Sequence, residues 1–165
     1  MSKEIKLTRG MVAVVDDDDY DWLSKWSWCA HKHKGKYYAE RGIRERGTCF
    51  QKTIRMNREI LSAPDCFQVD HIDGDSLNNQ KHNLRVCTDS QNKFNRGVSK
   101  RNKSGYKGVH WNAQRKKWCA SIQENKNKFV LGFFEESVDA AKAYDEAAKK
   151  HHGRFAVLNF PEGSA

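Results

Sequence analysis

Four polar side chains between positions 70 and 92 could together hydrolyse a phosphodiester bond. Asp70 and His71 are adjacent, Asn83 follows twelve residues after His71, and Asn92 comes nine residues later. Such hydrolysis needs a base that deprotonates water near neutral pH, and relief of charge on the scissile phosphate and the leaving oxygen. His71 can be the base, because the ordinary pKa of imidazole is ~6.5. Asp70 and Asn92 offer the hard oxygen atoms that Mg²⁺ prefers, and Asn83 can tie the loop that aims His71.

The elements predicted around these side chains would bring them together. The alternation that ends at the Asp-His pair predicts a strand, residues 83–86 predict a second strand, and a polar loop joins the two. Thr88 followed by Gln91 matches a capping box, so we expect a helix to start there, with Asn92 in its first turn. Strand, loop, strand and helix would carry the four polar side chains towards one place.

This stretch resembles the HNH nuclease family, which has the ββα-metal fold. The family's Asp-His pair matches Asp70 and His71, its central Asn matches Asn83, and its last position, His or Asn, matches Asn92. The Asp-Gly turn and the Asn-Leu-Arg strand of the family are present too. The resemblance implies His71 as general base, Asp70 and Asn92 as ligands of Mg²⁺ or Mn²⁺, and Asn83 as support for the loop. With Asn in last place, the set matches the HNN variant.

A calcium-binding loop is the alternative interpretation of the aspartates in this stretch, and its spacing excludes it. An EF-hand loop needs oxygen ligands at alternating positions and a glutamate at the end. Counted from Asp70, the third residue is Ile72 and the twelfth is Lys81. The calcium hypothesis therefore fails on ligand spacing.

The charge distribution indicates DNA as the partner. The chain has 165 residues, of which 38% are apolar and 31% charged, so we expect small modules with thin cores. The net charge is +9, and nine basic residues lie between Asp89 and Glu124, a window without acidic residues. An unbroken basic run beside a phosphate-cleaving centre predicts a track for a nucleic acid. No apolar run approaches ~18 residues, so no membrane partner is expected.

Cysteine usage and the start of the chain predict the compartment. The five cysteines are widely spaced and form no C-x-x-C pair, so we expect no structural zinc. The first residues lack the apolar stretch of a signal peptide. We expect reduced thiols and a cytoplasmic, DNA-associated protein in a bacterial or phage-infected host. One such nuclease centre cuts one strand, so a monomer should nick; we expect a monomer and leave a dimer open.

Residues 1–66 predict a small antiparallel β-rich region with no chemistry of its own. The acidic run at residues 16–19 could hold a metal, but an acidic turn that caps a short helix near residues 20–26 is favoured. Trp22, Trp26 and Trp28 are predicted to be core residues. The predicted strands lie at residues 11–15, 28–33, 36–41 and 48–54. A further short helix is predicted at residues 55–61.

A basic linker at residues 97–104 separates the nuclease motif, residues 67–96, from a last module at residues 105–161. Three strand-like segments there, residues 106–111, 117–123 and 128–134, predict an antiparallel sheet, with Phe129 and Leu131 as the apolar pair of the third segment. Ser137 can cap a helix that runs to about residue 151 and ends at Gly153. Alanines on one stripe of this helix let it sit close on the sheet. The fold class predicted for the whole chain is therefore α+β.

The segments SGYKGVHW, KWCASI, LGFF, AAKAYDEAA and LNFP look similar to the Apetala or ethylene-response-factor DNA-binding domain. In that family the sheet face opposite the helix enters the major groove, which implies a matching DNA-facing set in this chain. That set is His110, Asn112, Lys117, Ser121, Gln123, Lys128 and Val130. The basic residues expected to contact DNA outside this face are Arg85, Arg96, Lys100, Arg101, Lys103 and Lys107.

Together the two resemblances predict a DNA endonuclease of the homing type, free-standing or intron-encoded, as found in bacteriophages. The nuclease motif would cut, and the C-terminal module would hold the site. The alternative is a non-catalytic, sequence-specific DNA-binding or regulatory protein with a relic HNH motif. A divalent-metal nicking assay separates the two hypotheses.

Overall fold

The structure is a computed structural model, and it describes residues 1–44, 51–95, 97–99, 102–124 and 127–161. Mixed helices and antiparallel sheets confirm the predicted α+β class. The chain divides into two compact units, Met1–Thr88 and Asp89–Ala165. The division falls inside the stretch that the sequence suggested as one nuclease motif, and the domain boundaries drawn from the sequence stay a prediction.

In the described part of the first unit, three antiparallel sheets combine with two short helices. β1 pairs with β2, β3 and β5 flank β4, and β6 pairs with β7. The elements are β1 (Ser2–Lys6), β2 (Val12–Asp16), α1 (Asp17–Leu23), β3 (Cys29–His33), β4 (Lys36–Arg44), β5 (Gln51–Arg55), α2 (Met56–Ile60), β6 (Gln68–His71) and β7 (Leu84–Cys87).

A small apolar core is formed by residues of β1 to β4, of both helices and of the segments between them. Val15, Leu23, Trp28 and Met56 are among its buried members, and Trp22 packs against it. Trp26 was predicted for this core and is instead 51% exposed, with the Arg41 guanidinium 4.1 Å from its ring centroid. A cation above an exposed tryptophan face is a favourable arrangement that leaves the ring at the surface.

The acidic run starts a helix, as the favoured interpretation of the sequence predicted, but α1 begins three residues earlier than expected. Asp17, Asp18 and Asp19 form its first turn, and Asp16 precedes it. Carboxylates are stabilised there, because the helix dipole places partial positive charge at its N-terminus. The strand β1 was not predicted; only Ile5 within it is buried, so its sequence carries little apolar signal.

The second unit consists of a short helix, a three-stranded antiparallel sheet and a long helix packed across that sheet. The strand order is β10-β9-β8, and the packed sheet and helix match the prediction for this part of the chain. The elements are α3 (Asp89–Phe94), β8 (Val109–Asn112), β9 (Lys117–Glu124), β10 (Asn127–Phe134) and α4 (Ser137–His152).

Small residues let α4 approach the sheet closely. Ala140 and Ala148 are fully buried, and Tyr144 packs beside Ile122 in the same core. α4 ends where predicted, at Gly153, whose φ is +51°. Backbone positions with positive φ favour glycine, because glycine has no Cβ that would clash with the backbone.

Two details of the second unit differ from the sequence-based expectation. β8 begins at Val109 and not near residue 106, because Ser104 and Asn102 hold the preceding residues in turns through hydrogen bonds to the Tyr106 backbone. Phe129, predicted as one of the apolar pair of the third strand, is 47% exposed. Among the described helices, none is long and apolar enough to cross a membrane.

Candidate nuclease site and nucleic-acid interface

The β6–β7 pair brings three of the four predicted nuclease residues together. Asp70 and His71 end β6, and they pair in register with Arg85 and Leu84 on β7. Asn83 immediately precedes β7, and its carbonyl oxygen accepts a hydrogen bond from the Ile72 amide at 2.9 Å. Asp70, His71 and Asn83 are 7%, 5% and 4% exposed, so their polar atoms depend on protein partners.

Asn83 closes the loop between the strands with its side chain. Its Oδ1 accepts a hydrogen bond from the Asp73 amide at 3.0 Å, and its Nδ2 donates to the Asp73 carboxylate at 2.9 Å. The same Nδ2 donates to the Asn78 carbonyl at 2.8 Å. These three hydrogen bonds tie Asn83 to both ends of the loop segment 73–78, and the part of Asn83 in a nuclease site stays a prediction.

Asp70 forms a buried ion pair with Arg85. Both the Nε and an Nη of Arg85 donate to one carboxylate oxygen, at 2.9 and 2.8 Å. Arg85 is itself almost buried, so the guanidinium compensates the Asp70 charge within the protein. The sequence-based proposal of Arg85 as a DNA contact stays a prediction; in the structure its guanidinium is directed to Asp70, the proposed metal ligand.

His71 contacts a residue that the sequence did not single out. Its Nε2 lies 3.3 Å from the Oδ1 of Asn79, which is 1% exposed. Burial lowers the pKa of His71 below its ordinary value of 6.5, and it outweighs the Asn79 hydrogen bond and the Asp70 charge, which act in the opposite direction. The neutral imidazole, the form that can accept a proton, is therefore favoured near neutral pH.

The N-terminal region holds the loop that carries Asn79. Val14 on β2 donates from its amide to the Leu77 carbonyl at 2.9 Å, and its carbonyl accepts from the Asn79 amide at 2.7 Å. The Asp16 carboxylate accepts from the Lys81 amide at 2.7 Å. These bonds anchor the loop to β2, so a region without predicted chemistry of its own supports the candidate site.

The strand β4 also contacts this loop. The Ser76 hydroxyl donates to the Tyr37 carbonyl on β4 at 2.5 Å, and Lys36 donates from its Nζ to the Gly74 carbonyl at 2.8 Å. Asn79 and Ser76 could have been noticed as short polar residues in a turn-rich segment, but nothing local indicates that they become buried. Their burial depends on strands that are distant in sequence.

Asn92, the fourth predicted residue, lies on α3 in the second unit and is half-buried. α3 is fixed within that unit by Phe94, whose ring stacks on His152 with 3.7 Å between centroids and an 11° interplanar angle. The Phe94 carbonyl also accepts a hydrogen bond from the Lys107 ammonium. Joint binding of a metal by Asp70 and Asn92 stays a prediction.

The donor chemistry fits Mg²⁺, because Asp70 provides carboxylate oxygens and Asn92 an amide oxygen. Among the described residues, no cluster of three or more His, Cys, Asp or Glu side chains is placed to hold a metal. Mg²⁺ usually takes one or two carboxylates and completes its coordination with water and substrate phosphate.

One face of the C-terminal sheet gathers the residues that the sequence proposed for DNA. Asn112 pairs with Lys117, Ser121 with Val130 and Gln123 with Lys128, so all six side chains lie on one face; His110, paired with Cys119, lies there too. The other face carries Val109, Ala120 and Ile122 and packs on α4.

The charged members of the proposed DNA set differ in their availability. Lys128 and Lys103 are exposed. Lys117 forms an ion pair with Glu135 at 2.9 Å. Lys107 is half-buried, and burial lowers its pKa to about 8. Arg96, Lys100 and Arg101 lie outside the described residues.

Comparison with known proteins identifies the class of this chain. The family model of the HNH endonuclease matches residues 62–94, a stretch that runs from the end of α2 through β6 and β7 to the end of α3. An uncharacterized HNH endonuclease, L560 of Acanthamoeba polyphaga mimivirus, is 30% identical over 151 residues, which are 92% of this chain and 76% of that protein. The chain therefore belongs to the HNH endonuclease family.

Two partial relatives extend this comparison. Protein 3.8 of Escherichia phage T7 is 37% identical over 78 residues, which cover 44% of this chain and 64% of that protein. Dehydration-responsive element-binding protein 2A of Arabidopsis thaliana is 47% identical over 51 residues, 30% of this chain and 15% of that protein. The plant match covers less than a third of this chain, so it supports the second resemblance only in part.

Proposed function

We propose that this protein is a divalent-metal-dependent DNA endonuclease of the homing type. One observation carries the proposal: His71 is buried with a lowered pKa next to Asp70, at the end of β6 and directly before a loop locked by Asn83. A neutral, oriented imidazole beside a carboxylate is what base-assisted hydrolysis of a phosphodiester requires. The spacing of these residues, together with membership of the HNH family, supports the assignment.

In the proposed reaction, His71 accepts a proton from the attacking water as that water forms its bond to phosphorus. The bond from phosphorus to the leaving sugar oxygen then breaks. Asn83 keeps the loop closed, so His71 does not drift from its position. We expect general-base catalysis to supply ~10²–10⁴-fold of the rate.

Asp70 and Asn92 would hold Mg²⁺ or Mn²⁺. When bound, such an ion supplies positive charge against the phosphate and the leaving oxygen. The guanidinium of Arg85 donates two hydrogen bonds to the Asp70 carboxylate, so it would keep this side chain oriented.

The C-terminal sheet face would hold the DNA, in the major groove as the resemblance implies. Its exposed residues include Gln123 and Lys128, which could reach a base edge and a phosphate. The basic run before β8 would follow the phosphate backbone. The location proposed for the protein is the cytoplasm of a bacterial or phage-infected host.

A non-catalytic DNA-binding protein is the second candidate, and the Asp70–Arg85 ion pair favours it. A carboxylate already compensated by a guanidinium is less available to a cation. Under this hypothesis the HNH residues would be a structural relic. The two candidates predict opposite results in a cleavage assay.

The test is plasmid nicking by the purified full chain with Mg²⁺, with Mn²⁺ and with excess chelator. We expect metal-dependent nicks that chelator abolishes, and His71→Ala should lose at least ~10²-fold in rate while it binds DNA normally. His33→Ala is the matched control, because His33 is an exposed histidine on β3. Wild-type cleavage by His71→Ala would overturn the assignment of the base.

The metal ligands are tested in the same assay. Asp70→Ala and Asn92→Ala should each abolish Mg²⁺-dependent cutting, and full activity of the wild type in chelator would refute the metal requirement. Absence of cleavage by the wild type under every metal condition, with DNA binding intact, would support the relic hypothesis instead.

A further inference from the structure

We propose that Asn79 is a positioning residue that fixes the tautomer and the orientation of the His71 imidazole. The inference rests on the proposed function of His71 as the base, and it adds a residue that the HNH motif positions 70, 71, 83 and 92 do not include. Asn79 would act through His71 and not on the substrate.

The orientation of the Asn79 amide is set by its second hydrogen bond. Its Nδ2 donates to the Leu77 carbonyl oxygen at 3.1 Å. A carbonyl oxygen can only accept, so the group on that side of the amide must be the NH₂. The Oδ1 of Asn79 is therefore the atom that faces His71, at 3.3 Å from its Nε2.

The tautomer of His71 follows from that orientation. An amide oxygen accepts but cannot donate, so the His71 Nε2 must carry the hydrogen. A neutral imidazole has one N–H, and the basic lone pair is then on Nδ1. The opposite tautomer would place the lone pair of Nε2 against the lone pairs of Oδ1, with both atoms buried, which is unfavourable.

Asn79 can act as a fixed reference because its backbone is fixed too. Its amide donates to the Val14 carbonyl at 2.7 Å, and the Leu77 carbonyl that orients its side chain also accepts from the Val14 amide at 2.9 Å. Val14 on β2 thus fixes both the backbone of Asn79 and the Leu77 carbonyl that orients its side chain. This gives the N-terminal region a defined part in the chemistry, namely to hold the atom that selects the basic nitrogen.

The direct test is the tautomer of His71, measured by two-bond ¹H–¹⁵N correlation spectra of the full chain with labelled histidine, above the pKa of His71. The His71→Ala spectrum identifies the signal among the seven histidines. We expect the neutral ring to be the Nε2–H form. An Nδ1–H form in the wild type would overturn the proposal.

Three variants extend the test to the reaction. Asn79→Leu has a similar shape and no acceptor, so it should give mixed tautomers and lower kcat by ~10- to 100-fold, the usual cost of losing a group that orients a reactive histidine. KM should stay unchanged, because the contact does not involve substrate. Asn79→Asp keeps an acceptor against Nε2 and should keep the Nε2–H form, but kcat should stay low, because the carboxylate adds a buried charge beside the base and removes the NH₂ that donates to the Leu77 carbonyl.

Asn78→Ala is the loop control. Asn78 donates to Asp73 at 2.8 Å and is adjacent in the same loop, so its loss should loosen the loop without changing the His71 tautomer. If Asn79→Leu keeps both the tautomer and kcat, the proposal is refuted. If Asn79→Leu does not fold, the wild-type and Asn79→Asp spectra decide.

Failure of the positioning role of Asn79 and failure of the proposed nuclease function would give different experimental results. An Nε2–H tautomer that depends on Asn79 in a protein without cleavage would refute the nuclease assignment and keep the structural claim. Cleavage with an Nδ1–H tautomer would refute the positioning role alone.

Discussion

Gly108 is the position where a single methyl group should damage the second unit most clearly. It precedes β8 with φ of +76°, and a Cβ built there would lie 2.0 Å from Cδ2 and 2.4 Å from Cε2 of Tyr144. Tyr144 on α4 is 3% exposed and packed in the core, so its ring has little room to move. Gly108→Ala therefore adds both backbone strain and a steric clash.

Gly105 separates these two contributions. Its φ is +75°, almost the same, and a Cβ there would meet nothing within 4 Å. Gly105→Ala should cost only the left-handed backbone strain, ~1–2 kcal/mol. Gly108→Ala should add the cost of overpacking, typically ~1–3 kcal/mol. The predicted loss for Gly108→Ala is then ~2–5 kcal/mol, against a total stability of ~5–15 kcal/mol for a typical protein.

The assay is denaturant unfolding of both variants, with hydrogen exchange of the β9 amides to report on the second unit. Gly108→Ala should unfold at clearly lower denaturant than Gly105→Ala, and DNA binding should weaken as the unit unfolds. If the two variants differ by less than about 0.5 kcal/mol in stability, the close packing of Tyr144 on Gly108 is refuted, since that difference lies within the usual scatter of surface changes.

Changing Lys100, Arg101 and Lys103 to Ala should flatten the slope of log affinity against log salt by ~2–3, because each neutralised phosphate contributes ~0.9, and a salt titration measures it. Gln123→Ala should relax preference at one base position, worth ~1–3 kcal/mol of discrimination, with the salt slope unchanged; binding-site selection would show an unaltered preference if the assignment is wrong. The pKa of Lys107 falls from 10.5 to about 8 on folding, so the unfolded chain binds more protons between these values and stability should rise from pH ~8 to pH ~10. Lys107→Met should remove that rise, and an equal rise in the variant would exclude Lys107 as its source.

The alternation of polar and apolar residues predicted β6 and β7, and with them the places of Asp70, His71 and Asn83, because that information is local in the sequence. The Asp-His pair lies at the end of a strand, and Asn83 lies where the second strand begins, so the alternation that defines the strands also locates the site. The contact between His71 and Asn79 was not predictable in this way. It depends on β2, whose Val14 precedes Asn79 by 65 residues and carries no sign of the partnership.

Net charge does not show which basic side chains are occupied by other parts of the protein. Composition counts Arg85 and Lys107 as available cations, but folding directs Arg85 to Asp70 and Lys107 to the Phe94 carbonyl. A sequence records charge and not the distance to a buried acceptor. The sheet face was predictable to a greater extent, because alternation along a strand fixes which residues share a face.

The position of α3 has a consequence for chimeric nucleases built by exchanging modules. α3 carries Asn92 and is anchored by the Phe94–His152 stack within the same compact unit as the C-terminal sheet. A recombination joint placed in the basic linker would strip this helix of its anchor and leave His152 without its stacking partner. A joint placed after Thr88 would transfer helix and sheet together, so the recipient would inherit the last residue of the motif along with the C-terminal sheet and α4.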